Sequence, residues 1–151
     1  MPPSALRVAA AALSLVAGAA AASDFRSTSD AAVLYDAPSL KSKALFAIGR
    51  DYPLEVIVSV EGWLKVRDAA GTVAWIEKKS TGDKRMLLVR VPAADILAAP
   101  ESSAALVFRA EQNVLLELLD PSAATTTPGW AKVRHRDGQV GFVRIQQIWG
   151  L

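Results

Sequence analysis

The chain has 151 residues, with 17 basic and 15 acidic side chains and no cysteine. This length allows one ordinary domain or two very small ones. The lack of cysteine excludes disulfides, thiolate metal sites and a thiol nucleophile from this chain. The near balance of charge argues against nucleic-acid binding, which needs a basic surplus to neutralise phosphates.

Residues 1–22 have the order of a secretory signal peptide: one charge at Arg7, an apolar stretch at 8–16, and small residues at 20–22. The apolar stretch is shorter than the ~20 residues of a membrane span, although an uncleaved anchor remains the alternative. Cleavage would remove Arg7 alone from the 17 basic residues and leave 16 against 15 acidic ones. We therefore expect an exported protein with no stable membrane span. Since no wall or membrane anchor is evident, we expect the periplasm rather than full secretion.

Residues 23–30 (SDFRSTSD) are polar and predict a flexible leader. A first unit is then predicted over residues 31–91, with short strands bounded by turns. Its clearest strand signal is 52–60 (YPLEVIVSV), which is rich in β-branched residues. Strands at 63–67 and 72–77 form a predicted hairpin, and 86–91 (MLLVRV) is predicted as the last strand of this unit. The basic run at 78–85 favours a solvated linker, with binding of an anionic polymer as the alternative.

Residues 92–151 repeat the first unit. The segment 34–38 (LYDAP) returns as 96–100 (ILAAP), and 62–67 (GWLKVR) returns as 129–134 (GWAKVR). The run 114–119 (VLLELL) could be a helix by periodicity, but its register with the first unit favours a strand. A loop insertion follows at 121–128, and Asp137-Gly138 is a strong hairpin signal.

Several short strands at close spacing predict an all-β chain built from small barrels or sandwiches. At ~60 residues each unit is near the lower limit for independent folding, so we expect the two units to share an interface.

The repeated motifs resemble those of bacterial SH3-like domains. The resemblance rests on Gly62-Trp63-x-Lys65-Val66 with its closing Ala74-Trp75-Ile76, and on Gly129-Trp130-x-Lys132-Val133 with Gly141-Phe142-Val143. It covers most of residues 31–151 and implies two tandem SH3-like β-barrels without catalysis of their own. Exported bacterial proteins often carry such tandem domains, which are similar to cell-wall-targeting and peptide-binding modules.

Strand alternation assigns the tryptophans to a face. Within 63–67, Leu64 and Val66 form the natural core side, so Trp63 shares the other face with two charged side chains. The resemblance implies that this tryptophan and the closing aromatic border the ligand groove, and Tyr35 could join them. The candidate ligand-binding residues are therefore Tyr35, Trp63, Trp75, Trp130 and Phe142. The alternative is that these rings pack against the barrel or between the two units.

Binding is more plausible in the first unit, because Leu97 stands where the first unit has Tyr35.

The residues suggest no enzyme. His135 is the only histidine and lies between two arginines at a predicted hairpin tip. No nucleophile motif, metal-ligand cluster or cofactor motif accompanies it. We therefore expect a non-catalytic, metal-free envelope module that binds peptidoglycan or an envelope protein or peptide. The alternatives are a structural or assembly protein, and an accessory to a separate cell-wall hydrolase.

Overall fold

The structure, a computed structural model, describes residues 23–121 and 127–151. The predicted signal peptide (1–22) and the centre of the predicted insertion (122–126) lie outside the described residues. The described part is almost entirely β-structure, arranged as two separate antiparallel sheets of seven strands each. The prediction of an all-β chain with two tandem units is confirmed. Among the described residues, no helix has the length and apolar character needed to cross a bilayer.

The two sheets have the same strand order, β3-β2-β6-β5-β4-β1-β7 in the first and β10-β9-β13-β12-β11-β8-β14 in the second. We call them the first and second repeat. The first contains β1 (Asp24–Thr28), β2 (Ala32–Tyr35), β3 (Ala44–Ile48), β4 (Pro53–Val60), β5 (Trp63–Arg67), β6 (Val73–Glu77) and β7 (Thr81–Gly82). The second contains β8 (Met86–Val89), β9 (Ala93–Leu97), β10 (Leu106–Glu111), β11 (Leu115–Leu118), β12 (Trp130–Arg134), β13 (Val140–Arg144) and β14 (Ile148–Trp149). A single 3-10 turn precedes the last strand of each repeat, at Lys78–Ser80 and Ile145–Gln147.

Each repeat has its own apolar core, formed by the alternate residues of its strands. In β5, Leu64 and Val66 are buried while Trp63 and Lys65 are only half-buried, as the alternation predicted. The first core comprises Ala32, Leu34, Leu54, Leu64, Val66, Ala74 and Ile76. The larger second core comprises Leu87, Val89, Ala94, Ile96, Ala110, Leu116, Leu118, Ala131, Val133, Val143 and Ile148. Separate cores explain how a duplicated sequence retains two complete units.

Local details also recur between the repeats. The cross-strand ion pair between Arg67 and Glu55 measures 2.8 Å, and its counterpart between Arg134 and Glu117 also measures 2.8 Å. The ambiguous run 114–119 contains strand β11, which pairs with β8 and β12, so the strand interpretation is confirmed.

The structure corrects two assignments made from the sequence. The predicted leader, residues 23–30, contains β1, which pairs with β4 along Asp24–Ser27. Thr28 is buried at its end, where its hydroxyl donates to Gly49 O at 2.7 Å and accepts from Tyr52 N at 2.9 Å. These hydrogen bonds and the pairing with β4 order the polar stretch as a strand. The local sequence does not reveal this strand, because its partners are distant along the chain.

The second correction concerns the boundary between the units. Strand β8, within the predicted first unit (31–91), pairs with β11 and is the first strand of the second repeat. The second repeat therefore begins before residue 92. The sequences of β1 (DFRST) and β8 (MLLV) share no pattern, which is why the repeat did not reveal their equivalence.

The two repeats share the expected interface. The rings of Phe25 and Trp149 meet at 90° with their centroids 5.1 Å apart. The guanidinium of Arg85 lies 5.7 Å from the Phe25 centroid and donates from Nη2 to Gly150 O at 2.9 Å. Met86 N donates to Ser27 Oγ at 3.2 Å. Both repeats are therefore held in one packed arrangement rather than joined by a free linker.

Candidate functional site

Three aromatic side chains come together on the outer side of the first sheet, opposite the core. Tyr35 on β2 is the cross-strand partner of Trp75 on β6, and Trp75 is the partner of Lys65 on β5. The rings of Tyr35 and Trp63 meet edge to face, with centroids 5.6 Å apart. All four side chains are half-buried. We call Tyr35, Trp63, Trp75 and Lys65 the aromatic face.

The ammonium group of Lys65 lies beside the rings of the aromatic face, with Nζ 5.9 Å from the Trp75 ring centroid. A cation at this distance is attracted by the negative face of the indole ring. The contact also fixes the lysine stem beside the rings. The aromatic face thus holds ring surfaces and one ammonium group side by side.

A bulge in β4 enlarges the apolar surface beside the aromatic face. Val56 pairs with Val66 on the core side, but the register then shifts so that Val58 pairs with Lys65 and Val60 with Trp63. Val58 and Val60 are 42% and 41% exposed. Strict alternation from Val56 would have turned the Val58 side chain towards the core. The extra residue at the bulge turns the Val58 side chain outward instead. Sequence reasoning missed these two valines, because nothing in YPLEVIVSV marks a bulge.

The corresponding surface of the second repeat is covered. Trp130, the counterpart of Trp63, is only 7% exposed. The guanidinium of Arg144 lies 4.6 Å from the Trp130 ring centroid and its Nη2 is hydrogen-bonded to Ser102 Oγ in the β9–β10 loop. Phe142 is half-buried and pairs with Leu97 and Lys132 rather than with another ring.

The five predicted site residues therefore fall into two groups. The structure brings Tyr35, Trp63 and Trp75 together, whereas Trp130 and Phe142 lie in the other sheet. The aromatic pair between the repeats is Phe25 and Trp149, which sequence reasoning missed. Both lie in short terminal strands, β1 and β14, whose positions only the tertiary fold determines.

His135 lies in the β12–β13 hairpin region, where its Nδ1 is 2.9 Å from Asp137 Oδ1 and its ring centroid is 5.6 Å from that of Phe108. His135 Nδ1 has no partner in hydrogen-bond geometry among the described residues, so its contact with the Asp137 carboxylate is electrostatic. The pKa of Asp137 is lowered, first by the hydrogen bond from the Gln139 backbone N–H and then by His135. These contacts order the hairpin.

Within residues 23–121 and 127–151, no group of three or more histidine, cysteine or acidic side chains could hold a metal ion. The absence of catalysis stays a prediction.

Comparison with known proteins gives one family match in each repeat. The sequence model of the family described as the bacterial SH3 domain matches residues 28–82 and 91–150. No curated protein matches the chain.

Solved structures with partial similarity include NlpC2 from Trichomonas vaginalis, at 18% identity and a TM-score of 0.36, covering 83% of this chain and 46% of that one. NlpC1 from the same organism has 17% identity and a TM-score of 0.37, covering 91% and 50%. An NlpC/P60 family protein from Bacillus cereus has 15% identity and a TM-score of 0.38, covering 83% and 56%. The chain thus spans about half the length of these structures.

Proposed function

The chain belongs to the bacterial SH3 domain family, and from this premise we propose that it is a non-catalytic binding module of the bacterial cell envelope. Its ligand in this proposal is peptidoglycan or a peptide or protein of the envelope, bound on the aromatic face of the first repeat. The observation that carries the proposal is the edge-to-face packing of Tyr35 and Trp63 beside a Trp75 ring that faces Lys65.

The placement of these rings favours binding over packing. The core of the first repeat is formed by the opposite face of the same strands, so Trp63 and Trp75 do not contribute to it. Large apolar rings clustered on an outer surface, next to exposed Val58 and Val60, are typical of interaction sites.

The chemistry of the aromatic face suits a wall peptide or a sugar chain. Ring faces pack against the C–H surfaces of sugars or against apolar side chains. The Lys65 ammonium is a donor for a ligand carboxylate. A peptide that carries both features would contact the whole face at once.

We assign the binding to the first repeat because the second repeat lacks an equivalent open surface. There, Arg144 occupies the ring face that Trp130 would otherwise present. Export to the periplasm is part of the same proposal and is supported by the signal-peptide pattern of residues 1–22.

The experiment is retention of the purified protein on isolated sacculi. Trp75→Ala should abolish most of the retention, whereas Phe142→Ala, the matched change at the equivalent position of the second repeat, should leave it unchanged. Circular dichroism would establish that both variants fold. Equal retention of the two variants and the unchanged protein would refute the role of the aromatic face.

A second candidate is a structural or assembly role, favoured by the exposed edge strand β3, where Leu45 and Phe46 are 39% and 36% exposed. An edge strand can pair with another chain. In that case the protein should bind no sacculi, and sedimentation should show a dimer. An accessory role beside a separate wall hydrolase would instead appear as wall binding that increases the activity of an added hydrolase.

A further inference from the structure

A cleft of about 780 Å³ lies between the two repeats. Its lining includes none of the residues of the aromatic face. One wall is formed by the turn before β4, with Arg50 and Asp51, and by Lys84 from the connection to β8. The opposite wall is the β12–β13 hairpin region of the second repeat, including Arg134 and Arg136. A volume in the range of roughly 300–1,000 Å³ is typical of ligand sites.

The lining of this cleft carries an excess of positive charge. Arg50, Lys84, Arg134 and Arg136 face two carboxylates, those of Asp51 and Glu117. Glu117 is paired with Arg134 at 2.8 Å, and Asp51 with Lys84 at 3.3 Å. These pairs account for both carboxylates and leave two arginines in excess.

The two remaining arginines are available to a ligand. Arg50 lies 3.4 Å from Asp30, but both side chains of this pair are mostly exposed, so the pair holds the guanidinium weakly. In the part of the chain that the structure describes, Arg136 has no carboxylate within ion-pair distance. A guanidinium presents paired N–H donors that match a carboxylate.

Between the charged walls lies an apolar surface. Met86 is buried, and Val114 and Leu115 are half-buried, where they line the cleft. A ligand that matches this lining therefore combines negative charge with an apolar group.

We propose that the cleft between the repeats binds an acidic peptide segment, whose carboxylates pair with Arg50 and Arg136 and whose apolar side chain lies on Met86, Val114 and Leu115. A regular polyanion such as a nucleic acid fits less well, because the apolar surface of Met86, Val114 and Leu115 gives it no partner. The site is independent of the aromatic face and of its proposed ligand.

The interface between the repeats supports this site. Arg85 and the Phe25–Trp149 ring pair fix the two walls relative to each other. Preformed walls reduce the ordering cost of binding. Neither repeat alone would contain the site.

The test is an amide chemical-shift titration of the chain with a synthetic peptide of alternating glutamate and leucine. The same peptide with glutamine in place of glutamate is the uncharged control. The variant Arg50→Ala/Arg136→Ala is compared with Lys41→Ala/Lys132→Ala, which removes the same charge at exposed positions outside the cleft. The single variant Arg136→Ala keeps the test valid if the double variant folds poorly.

We expect shifts at amides that line the cleft and a loss of affinity of about tenfold in the arginine double variant. The lysine double variant should bind as tightly as the unchanged protein, and salt should weaken binding to all forms. Equal affinity of the arginine and lysine variants, or equal binding of the glutamine peptide, would overturn the proposal. A DNA duplex that shifts the same amides at equal affinity would also overturn it, because the cleft would then be a general anion surface.

Shifts confined to Tyr35, Trp63 and Trp75 would likewise overturn the cleft proposal. The wall-binding proposal expects retention on sacculi to depend on Trp75 and not on the arginines, so either proposal can fail while the other stands.

Discussion

The ring of Phe25 meets the ring of Trp149 edge-on, at 90° and 5.1 Å between centroids. Phe25 lies in the first strand of the first repeat, and Trp149 in the last strand of the second. The pair therefore joins the two ends of the described chain and ties each terminal strand to the other repeat.

We expect Trp149→Ala to lower the free energy of unfolding by about 2 kcal/mol, because the ring is half-buried and its pairing adds to its packing. The loss should also uncouple the repeats, so urea unfolding followed by circular dichroism should broaden or divide into two transitions. Trp149→Phe keeps a ring against Phe25 and should retain most of the stability. A sharp, unshifted transition in Trp149→Ala would contradict the importance of this pair.

Any side chain at Gly150 should lower the stability of the fold. Its φ is +113°, and an added Cβ would lie 2.8 Å from Met86 O and 3.2 Å from Pro53 Cβ. We expect Gly150→Ala to cost about 1–3 kcal/mol of stability through backbone strain and this clash. The matched change is Gly82→Ala in the first repeat, where the Cβ would make only an ordinary 3.8 Å contact with Ser29. Similar thermal midpoints for the two variants would contradict the difference between these sites.

Much of this fold follows from the sequence because the repeated Gly-Trp-x-Lys-Val hairpins and their alternation predict the central strands. The terminal strands do not follow, because β1 is polar and depends on distant partners such as Gly49 O for its order. For the site, alternation placed Trp63 opposite Leu64, as observed. The bulge that turns Val58 outward depends on tertiary packing, and so does the Arg144 contact that covers Trp130.

The two equivalent tryptophans should differ in their contribution to stability. Trp130 is buried, so we expect Trp130→Ala to lower the free energy of unfolding by about 3–5 kcal/mol. Trp63 lies half-buried outside the core, so Trp63→Ala should cost only about 1–2 kcal/mol. Denaturant unfolding of both variants measures the difference. Equal losses would mean that Trp63 is a structural residue and would weaken the binding proposal.

Tyr52 should make the protein sensitive to alkali. Burial, the largest cause, and the nearby Asp68 raise the pKa of Tyr52, while a hydrogen bond with the Ala69 backbone opposes them. The folded-state pKa therefore lies above the unfolded value of about 10. As pH rises past the unfolded pKa, the Tyr52 phenol loses its proton in the unfolded chain before it does so in the folded protein. The contribution of Tyr52 to the free energy of unfolding is therefore complete below the unfolded pKa and declines above it. Tyr52→Phe keeps the ring and should flatten the decline of stability with pH, measured by unfolding curves at alkaline pH. A decline of unchanged slope in Tyr52→Phe would show that another group causes the alkaline sensitivity.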